Sequence, residues 1–278
     1  MRNVLIFAEL TFREARRRKI LWVALALGLT FIALYAFGFY QIFVDFLRHS
    51  QGRNVLLDSG FNFLVMAGFY VISFLGVMLA VLTSVGTLSG EVSSHTIQAL
   101  AARPVKRRAI LLGKWLGLAL MLVCYIALLG AGIIVATWAI SGYVPPNTLT
   151  GVALIALQAL IMLSVCILGG TRLSTIANGV VAFMLYGIAF VGGWIETIGS
   201  FAHNETAVDI GILSSLLVPS EAMWKMASYG MQPPAVRGLA VSPFSLATAP
   251  STAMLVYAVV YTAALLVLAV YSLNRRDL

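Results

Sequence analysis

The sequence predicts an all-α, polytopic membrane protein with six transmembrane helices. Apolar residues make up 61% of its 278 residues and charged residues only 10%, against about 45–50% and about 25% in soluble domains. The mean hydropathy is +0.97, and the 57 residues from Trp115 to Thr171 carry no charge. This composition excludes a disordered chain, a disulfide-rich secreted scaffold and an ordinary soluble enzyme.

Six apolar runs are long enough to cross a bilayer, since a membrane helix needs about 20 mostly apolar residues. The runs are apolar on every face, whereas the strands of a membrane barrel alternate apolar and polar residues over about ten positions. The six predicted spans are about residues 20–46, 61–89, 112–140, 149–170, 175–195 and 252–273.

Residues 1–19 are basic and have the pattern of an amphipathic helix lying on the cytoplasmic membrane surface. Two Glu–Arg pairs, at positions 9 and 13 and at positions 14 and 18, have the i,i+4 spacing that supports a helix. The apolar face is expected to hold Val4, Leu5, Ala8, Phe12 and Ala15. The run at 20–46 exceeds the core of a signal peptide, about 7–15 residues, so we expect it to be retained as the first span.

Turn-forming and charged residues separate the later spans. Residues 61–90 contain no charge and hold the second span, and Pro145 and Pro146 divide the long uncharged stretch into the third and fourth. The link 171–174 ends the fourth span, and the fifth follows it directly. Residues 196–251 are predicted to be extracytoplasmic, with short helices at or dipping into the outer surface, because a segment of that length should have structure of its own.

The distribution of Lys and Arg predicts the orientation. Fourteen of the 18 fall in residues 1–19, 91–114, 171–174 and the C-terminal tail, which alternate spans place on one side. The positive-inside rule assigns that side, with both termini, to the cytoplasm of a multi-pass protein in the inner (plasma) membrane. The net charge of +8 is therefore interpreted as a topology signal, and nucleic acid is not an expected partner.

No catalytic, cofactor or metal site is predicted on this chain. Cys124 and Cys166 stand in apolar runs, and the three histidines are too far apart in sequence to form a metal-spaced cluster. Gln158 is the most polar residue near the middle of a span. Its amide is expected to bond to a neighbouring helix, with lining of a pathway as the alternative.

The most informative stretch is residues 90–117, between the second and third spans. It predicts a short helix at about 91–100, an Arg-Pro turn, a basic cluster and the start of a membrane helix. Charge alone is compatible with an ordinary cytoplasmic loop. A rigid helix on a short loop is also a suitable contact for a soluble partner.

The order of residues in this stretch resembles the signature region of the ABC-2 type transporter permeases. The matching residues are Glu91, Thr96, Ile97, Leu100, Pro104, Val105, Arg107, Ile110, Leu111, Gly113, Lys114 and Gly117. The basic start and the C-terminal residues 271–278 also look like that family. In layout the resemblance covers residues 1–278 as a single transmembrane domain.

The resemblance implies a permease that pairs with a second permease subunit, either an identical copy or a paralogue. It also implies a separate ATP-binding subunit, which binds ATP and Mg²⁺ and receives the 91–100 coupling helix in a groove. This chain has no G-x-x-x-x-G-K-[ST] phosphate loop, so we do not expect it to be an enzyme.

The residues expected at the ATPase-coupling interface are Glu91, His95, Thr96, Leu100, Arg103, Pro104 and Arg107. Glu91 can pair with a basic residue of the partner or with one of its own chain, and the basic residues can instead anchor anionic lipid. The residues expected to anchor the chain at the membrane surface are Arg16, Arg17, Arg18, Lys19 and Lys114. Lys114 is expected to extend to the lipid head groups.

The function predicted from the resemblance is that of the membrane-spanning subunit of an ATP-driven exporter. Few charges lie in the predicted spans, which favours a hydrophobic or amphipathic substrate. The alternative is a stand-alone scaffold or secondary carrier without an ATPase. Carriers usually have ionisable residues inside the membrane to bind the coupling ion, and their scarcity here favours the ATP-driven interpretation.

Overall fold

The computed structural model describes residues 2–17, 19–49, 55–87, 107–234, 244 and 251–275. Within these residues the secondary structure consists of helices and turns, with no strand. The nine described helices are α1 (Arg2–Arg17), α2 (Lys19–His49), α3 (Val55–Ser84), α4 (Arg107–Ser141), α5 (Thr148–Gly169), α6 (Thr175–Phe201), α7 (Glu205–Leu217), α8 (Ser220–Met231) and α9 (Thr252–Asn274).

Six of these helices, namely α2 to α6 and α9, are long and apolar enough to cross a membrane. The prediction of an all-α chain with six spans is therefore confirmed. Helix α5 is the most buried of the six: 67% of the residues in its most apolar 18-residue stretch are buried in the protein. The corresponding share is only 11% in α2 and 17% in α9. The bundle is thus built around α5, and α2 and α9 lie at its periphery.

Several helix ends differ from the expected positions. Helix α3 begins at Val55, six residues before the predicted start. Helix α4 begins at Arg107, five residues before the predicted start, and α3 ends at Ser84, five residues before the predicted end. The hydroxyl groups of Thr83 and Ser84 donate to carbonyls of the preceding turn, a pattern that competes with the backbone ladder. Helix α6 continues past residue 195 to Phe201, because the charge of Glu196 is paired within the protein, as described below.

The bundle has two ends, called proximal and distal. The proximal end carries α1, the end of α3, the start of α4 and the 170–174 link. The distal end carries the 142–147 link between α4 and α5 and the 202–204 link between α6 and α7.

Helices α7 and α8 form a re-entrant pair at the distal end, bent by 111° around Val218 and Pro219. Helix α7 runs inward along α6, since Gly199 contacts Ala207 near the surface and Gly192 contacts Ser214 deeper in the bundle. Helix α8 returns to the surface, where Asn147 Nδ2 donates to Gly230 O. Nine residues separate Gly192 from the end of α6, so the pair descends by about 13 Å. The short helices expected within 196–251 are present.

The tip of this pair is capped by the last span. The hydroxyl groups of Tyr257 and Tyr261 in α9 donate to the carbonyls of Leu216 and Leu217 at the end of α7. The last carbonyls of a helix have no partner within it, and inside a membrane no water replaces that partner. The two tyrosines therefore allow α7 to end below the membrane surface.

Candidate functional site

Helix α1 packs directly on the proximal end of α4. The approach is close because Gly113 and Gly117 carry no side chain: a Cβ at Gly113 would lie 2.8 Å from Val4 O, and one at Gly117 would lie 2.6 Å from Ala8 O. Small residues of this kind let helix backbones come together in membrane proteins. Helix α1 and the third span therefore form one packed unit.

The faces of α1 differ in one respect from the prediction. Ala8, Thr11 and Ala15 are buried, but Leu5 is 62% exposed and lies away from α4. The buried face is narrower than the apolar pattern suggested, because it is limited to residues that fit against the two glycines. The predicted pair between Glu9 and Arg13 is present as a salt bridge.

The two ends of the segment that joins α3 to α4 are tied to the bundle. On the α3 side, Lys114 Nζ donates to Thr87 O over 3.4 Å. On the α4 side, Arg107 Nη1 donates to Leu273 O in α9 over 3.3 Å. Movement of the segment between these two anchors would therefore reach α3, α4 and α9.

Lys114 does not occupy its expected place at the lipid head groups. It is only 5% exposed, because its ammonium group turns inward to the carbonyl that ends the α3 turn. This lysine joins α4 to α3 instead of extending to the membrane surface.

A second set of polar contacts joins the 170–174 link to the last span. The side chains of Thr171 and Arg172 both contact Ser272 Oγ, at 2.9 Å and 3.0 Å. Asn178 Nδ2, in the first turn of α6, donates to Val85 O and Cys166 O. The proximal ends of α3, α5, α6 and α9 are thereby linked.

Most of the predicted coupling residues lie outside the described residues. They are Glu91, His95, Thr96, Leu100, Arg103 and Pro104, and Arg18 of the predicted anchoring group lies outside them as well. Arg107 is described and is one of the two anchors of the segment. The side chains of Arg16, Arg17 and Lys19 are exposed, as an anchoring role requires.

An apolar groove lies between α2 and α3 in the proximal half of the bundle. Its volume is about 260 Å³, and Lys19 stands at its end. The other residues that line it are Ile20, Val23, Ala24, Leu27, Leu75, Met78, Leu79, Leu82 and Tyr125. The groove thus combines a long apolar wall with one cationic group.

A charged cluster lies between α6 and α8, within residues 196–251, which the sequence predicted to be extracytoplasmic with short helices at or dipping into the outer surface. Lys225 Nζ is 2.8 Å from Glu196 Oε2, and Glu221, one turn before Lys225, is 4% exposed. The sequence did not predict this cluster, because Glu196 lies on a different helix, 25 residues before Glu221 and 29 before Lys225. The i,i+4 spacing of Glu221 and Lys225 was the only local signal.

Gln158 lies near the middle of α5 and is fully buried. Neither polar atom of its amide has a hydrogen-bond partner among the described residues. The predicted bond to a neighbouring helix is therefore absent from this part of the chain. No group of three or more His, Cys, Asp or Glu residues that could hold a metal ion occurs there either.

A search of curated proteins returned no match. A family model described as ABC-2 family transporter protein matches residues 5–278, almost the whole length of the chain. That match covers α1, the six spans and the re-entrant pair, and it agrees with the resemblance carried by residues 91–117. The chain therefore belongs to the ABC-2 family of transporter proteins and is a multi-pass membrane permease.

Proposed function

We propose that this chain is the membrane subunit of an exporter driven by a separate ATP-binding subunit. The observation that carries the proposal is the proximal assembly, in which α1 is packed on α4 and the segment 88–106 is anchored at Thr87 and Arg107. A force that the ATP-binding subunit applies to that segment would be transmitted to several spans at once. ATP and Mg²⁺ would bind the partner, since this chain lacks a phosphate loop.

The proposed substrate is hydrophobic or amphipathic. The groove between α2 and α3 supports this class, because its wall is apolar and Lys19 offers a positive charge at one end. Its volume of about 260 Å³ is close to the lower end of small-molecule pockets, about 300–1,000 Å³. An amphiphile with an anionic head group would match both the apolar wall and the positive charge of Lys19.

We also propose that two permease subunits, identical or paralogous, assemble side by side. Helices α2 and α9 are the least buried spans, and their outward faces carry large apolar side chains such as Trp22, Leu34 and Val267. Such faces suit either lipid or a second subunit.

The proposed orientation places the proximal end and both termini in the cytoplasm of a cell with this chain in its inner (plasma) membrane. A reporter fused after Leu278 should be active only in the cytoplasm, and one inserted at the exposed turn beside His203 only outside. The reason is the excess of Lys and Arg at the proximal end. Activity of both reporters on the same side would rule out the six-span topology.

A charge reversal at Glu91 tests the coupling role. We expect Glu91→Lys to insert normally, yet to recover at least about tenfold less ATPase in co-purification with the tagged chain, since a reversed interface charge can cost several kcal/mol. ATP hydrolysis by the recovered complex should fall in parallel, and the chain purified alone should hydrolyse none.

The matched control is Glu205→Lys, the same change at an exposed residue of the distal end. It should leave ATPase recovery unchanged. If Glu91→Lys recovers as much ATPase as the unaltered chain, the 91–100 segment is not the contact proposed here.

The alternative function is that of a secondary carrier without an ATPase. One observation favours it: Glu221 and Lys225 are buried ionisable groups, with the half-buried Glu196 beside them, of the kind that bind coupling ions in carriers. Co-purification decides between the two, because a carrier would recover no ATPase and would transport without ATP.

A further inference from the structure

The groove between α2 and α3 lies between two apolar helix faces that are held apart. The residues that form its walls are Ile20, Val23, Ala24 and Leu27 on α2, and Leu75, Met78, Leu79 and Leu82 on α3. Both sets have the i, i+3, i+4, i+7 spacing of a single helix face. Such faces normally pack on each other, yet here a volume of about 260 Å³ separates them.

Contacts with α4 keep α2 away from α3 in the proximal half of the bundle. Tyr125 Oη donates to Ala24 O at 3.1 Å, and a Cβ at Gly28 would lie only 2.7 Å from a leucine side chain of α4. In the distal half α2 does meet α3, where the rings of Phe39 and Phe61 are 5.6 Å apart. The groove is therefore built into the packing of these three helices.

The length of the groove matches one leaflet of a bilayer. From Lys19 to Leu27 the α2 wall rises by about 12 Å, and half of the hydrocarbon core is about 15 Å. Trp22 is 63% exposed, and its Nε1 donates to Arg16 O at the end of α1. Exposed tryptophans at the end of a span mark the membrane–water interface, so Lys19, one turn before Trp22, lies at the level of the lipid head groups.

The lining has the chemistry that an anionic lipid requires. Lys19 is the only charged residue among the ten that line the groove, and the hydroxyl proton of Tyr125 is already donated to Ala24 O. A cationic group at the surface with an apolar channel below it fits a phosphate followed by an acyl chain. A helix of a second subunit is about 10–12 Å across and needs far more volume over the same length.

We propose that this groove binds one acyl chain of an anionic phospholipid from the leaflet at the proximal end, with the phosphate held at Lys19. Arg16 and Arg17 are exposed on α1 and add positive charge at the same end of the bundle. The bound lipid would be the amphipathic substrate proposed above, so its role as cargo rests on that proposed function, whereas its binding does not.

The experiment places the full-length chain in nanodiscs of phosphatidylcholine that contain a small fraction of a photoreactive lipid. The probe is phosphatidylglycerol with a diazirine on one acyl chain, and phosphatidylcholine with the same chain is the matched lipid control. After illumination, peptide mass spectrometry locates the adducts. We expect adducts on the groove residues of α2 and α3 to be about fivefold more frequent with the anionic probe, the gain expected from one lysine near an anionic head group.

Two substitutions separate the contributions of the head group and the chain. Lys19→Gln should lower the adducts of the anionic probe in the groove about fivefold, whereas Arg48→Gln, at the exposed distal end of α2, should not. Ala24→Phe fills the groove and should lower the adducts of both probes there. Its control is Ala26→Phe, at an exposed position of α2 outside the groove, which should leave them unchanged.

Equal labelling by the two probes in the unaltered chain, or groove adducts that persist in Ala24→Phe, would overturn the proposal. If Ala24→Phe does not fold, the two probes and the Lys19→Gln variant still decide. An unlabelled groove, together with separation of the permease pair by Ala24→Phe, would assign the groove to a second subunit instead. The labelling uses neither ATP nor an ATPase, so a negative result leaves the ATP-driven function standing, and failure to recover an ATPase leaves the lipid site standing.

Discussion

Replacing Lys225 by methionine is expected to destabilise the protein by about 3 kcal/mol. Removal of one partner from a buried ion pair costs about 3–5 kcal/mol, and the lower end applies because the Glu196 side chain remains 28% exposed. The variant would leave the half-buried Glu196 and the buried Glu221 without their common counter-charge. Since 1 kcal/mol corresponds to about 2–4 °C in a chain of this size, the melting temperature should fall by at least about 6 °C.

Arg13→Met is the matched control, because Arg13 also pairs with a glutamate and its side chain is 67% exposed. An exposed i,i+4 pair is worth about 0.3–0.5 kcal/mol, so the melting temperature should change by no more than about 2 °C. Equal shifts in the two variants would show that the Lys225 cluster is not buried in the way described.

Replacing Gly117 by valine should detach α1 from α4. A Cβ at this position would lie 2.6 Å from Ala8 O and 2.9 Å from Thr11 Cβ. The first of these atoms belongs to the α1 backbone and cannot move without the helix. Overpacking of this kind costs about 1–3 kcal/mol, which raises the population of detached α1 by about 5–150-fold. Tryptic cleavage at Arg13, Arg16 and Arg17 should accelerate accordingly, because cleavage follows the population of the open form.

Gly38→Val in α2 is the control, since a Cβ there meets nothing within 4 Å. It should leave tryptic cleavage of α1 unchanged. If α1 transmits force as proposed, Gly117→Val should also lower the ATPase activity of the complex. Unchanged cleavage in Gly117→Val would mean that α1 is held by contacts other than the glycine face of α4.

The six spans could be predicted because each of them is a local property. A run of about 20 apolar residues is recognisable without knowing what it packs against. The helix ends were predicted less well where a polar residue is satisfied by a distant partner. Glu196 is such a case, since a charge near the end of an apolar run normally marks the membrane surface, yet α6 continues for five residues beyond it.

The candidate site, too, could be predicted only in those features that depend on residues close together in the chain. The order of residues from Glu91 to Gly117 pointed to the family. Two residues of that pattern, Gly113 and Gly117, form the surface of α4 on which α1 packs. The same pattern did not show that Lys114 is buried, because its direction depends on the carbonyl of Thr87, 27 residues earlier. It also did not show that the buried side of α1 excludes Leu5.

The sequence by itself determined the class of this protein, its six spans and its family. Hydropathy and the order of residues in a motif both depend only on residues that are neighbours in the chain. Only the tertiary structure decided that α7 and α8 descend into the bundle and that Glu196, Glu221 and Lys225 meet there. Their meeting depends on the close packing allowed by Gly192 and Gly193 and on the capping of α7 by two tyrosines of α9. Whether a charge is buried depends on the position of its partners in space, and residues far apart in the chain set that position.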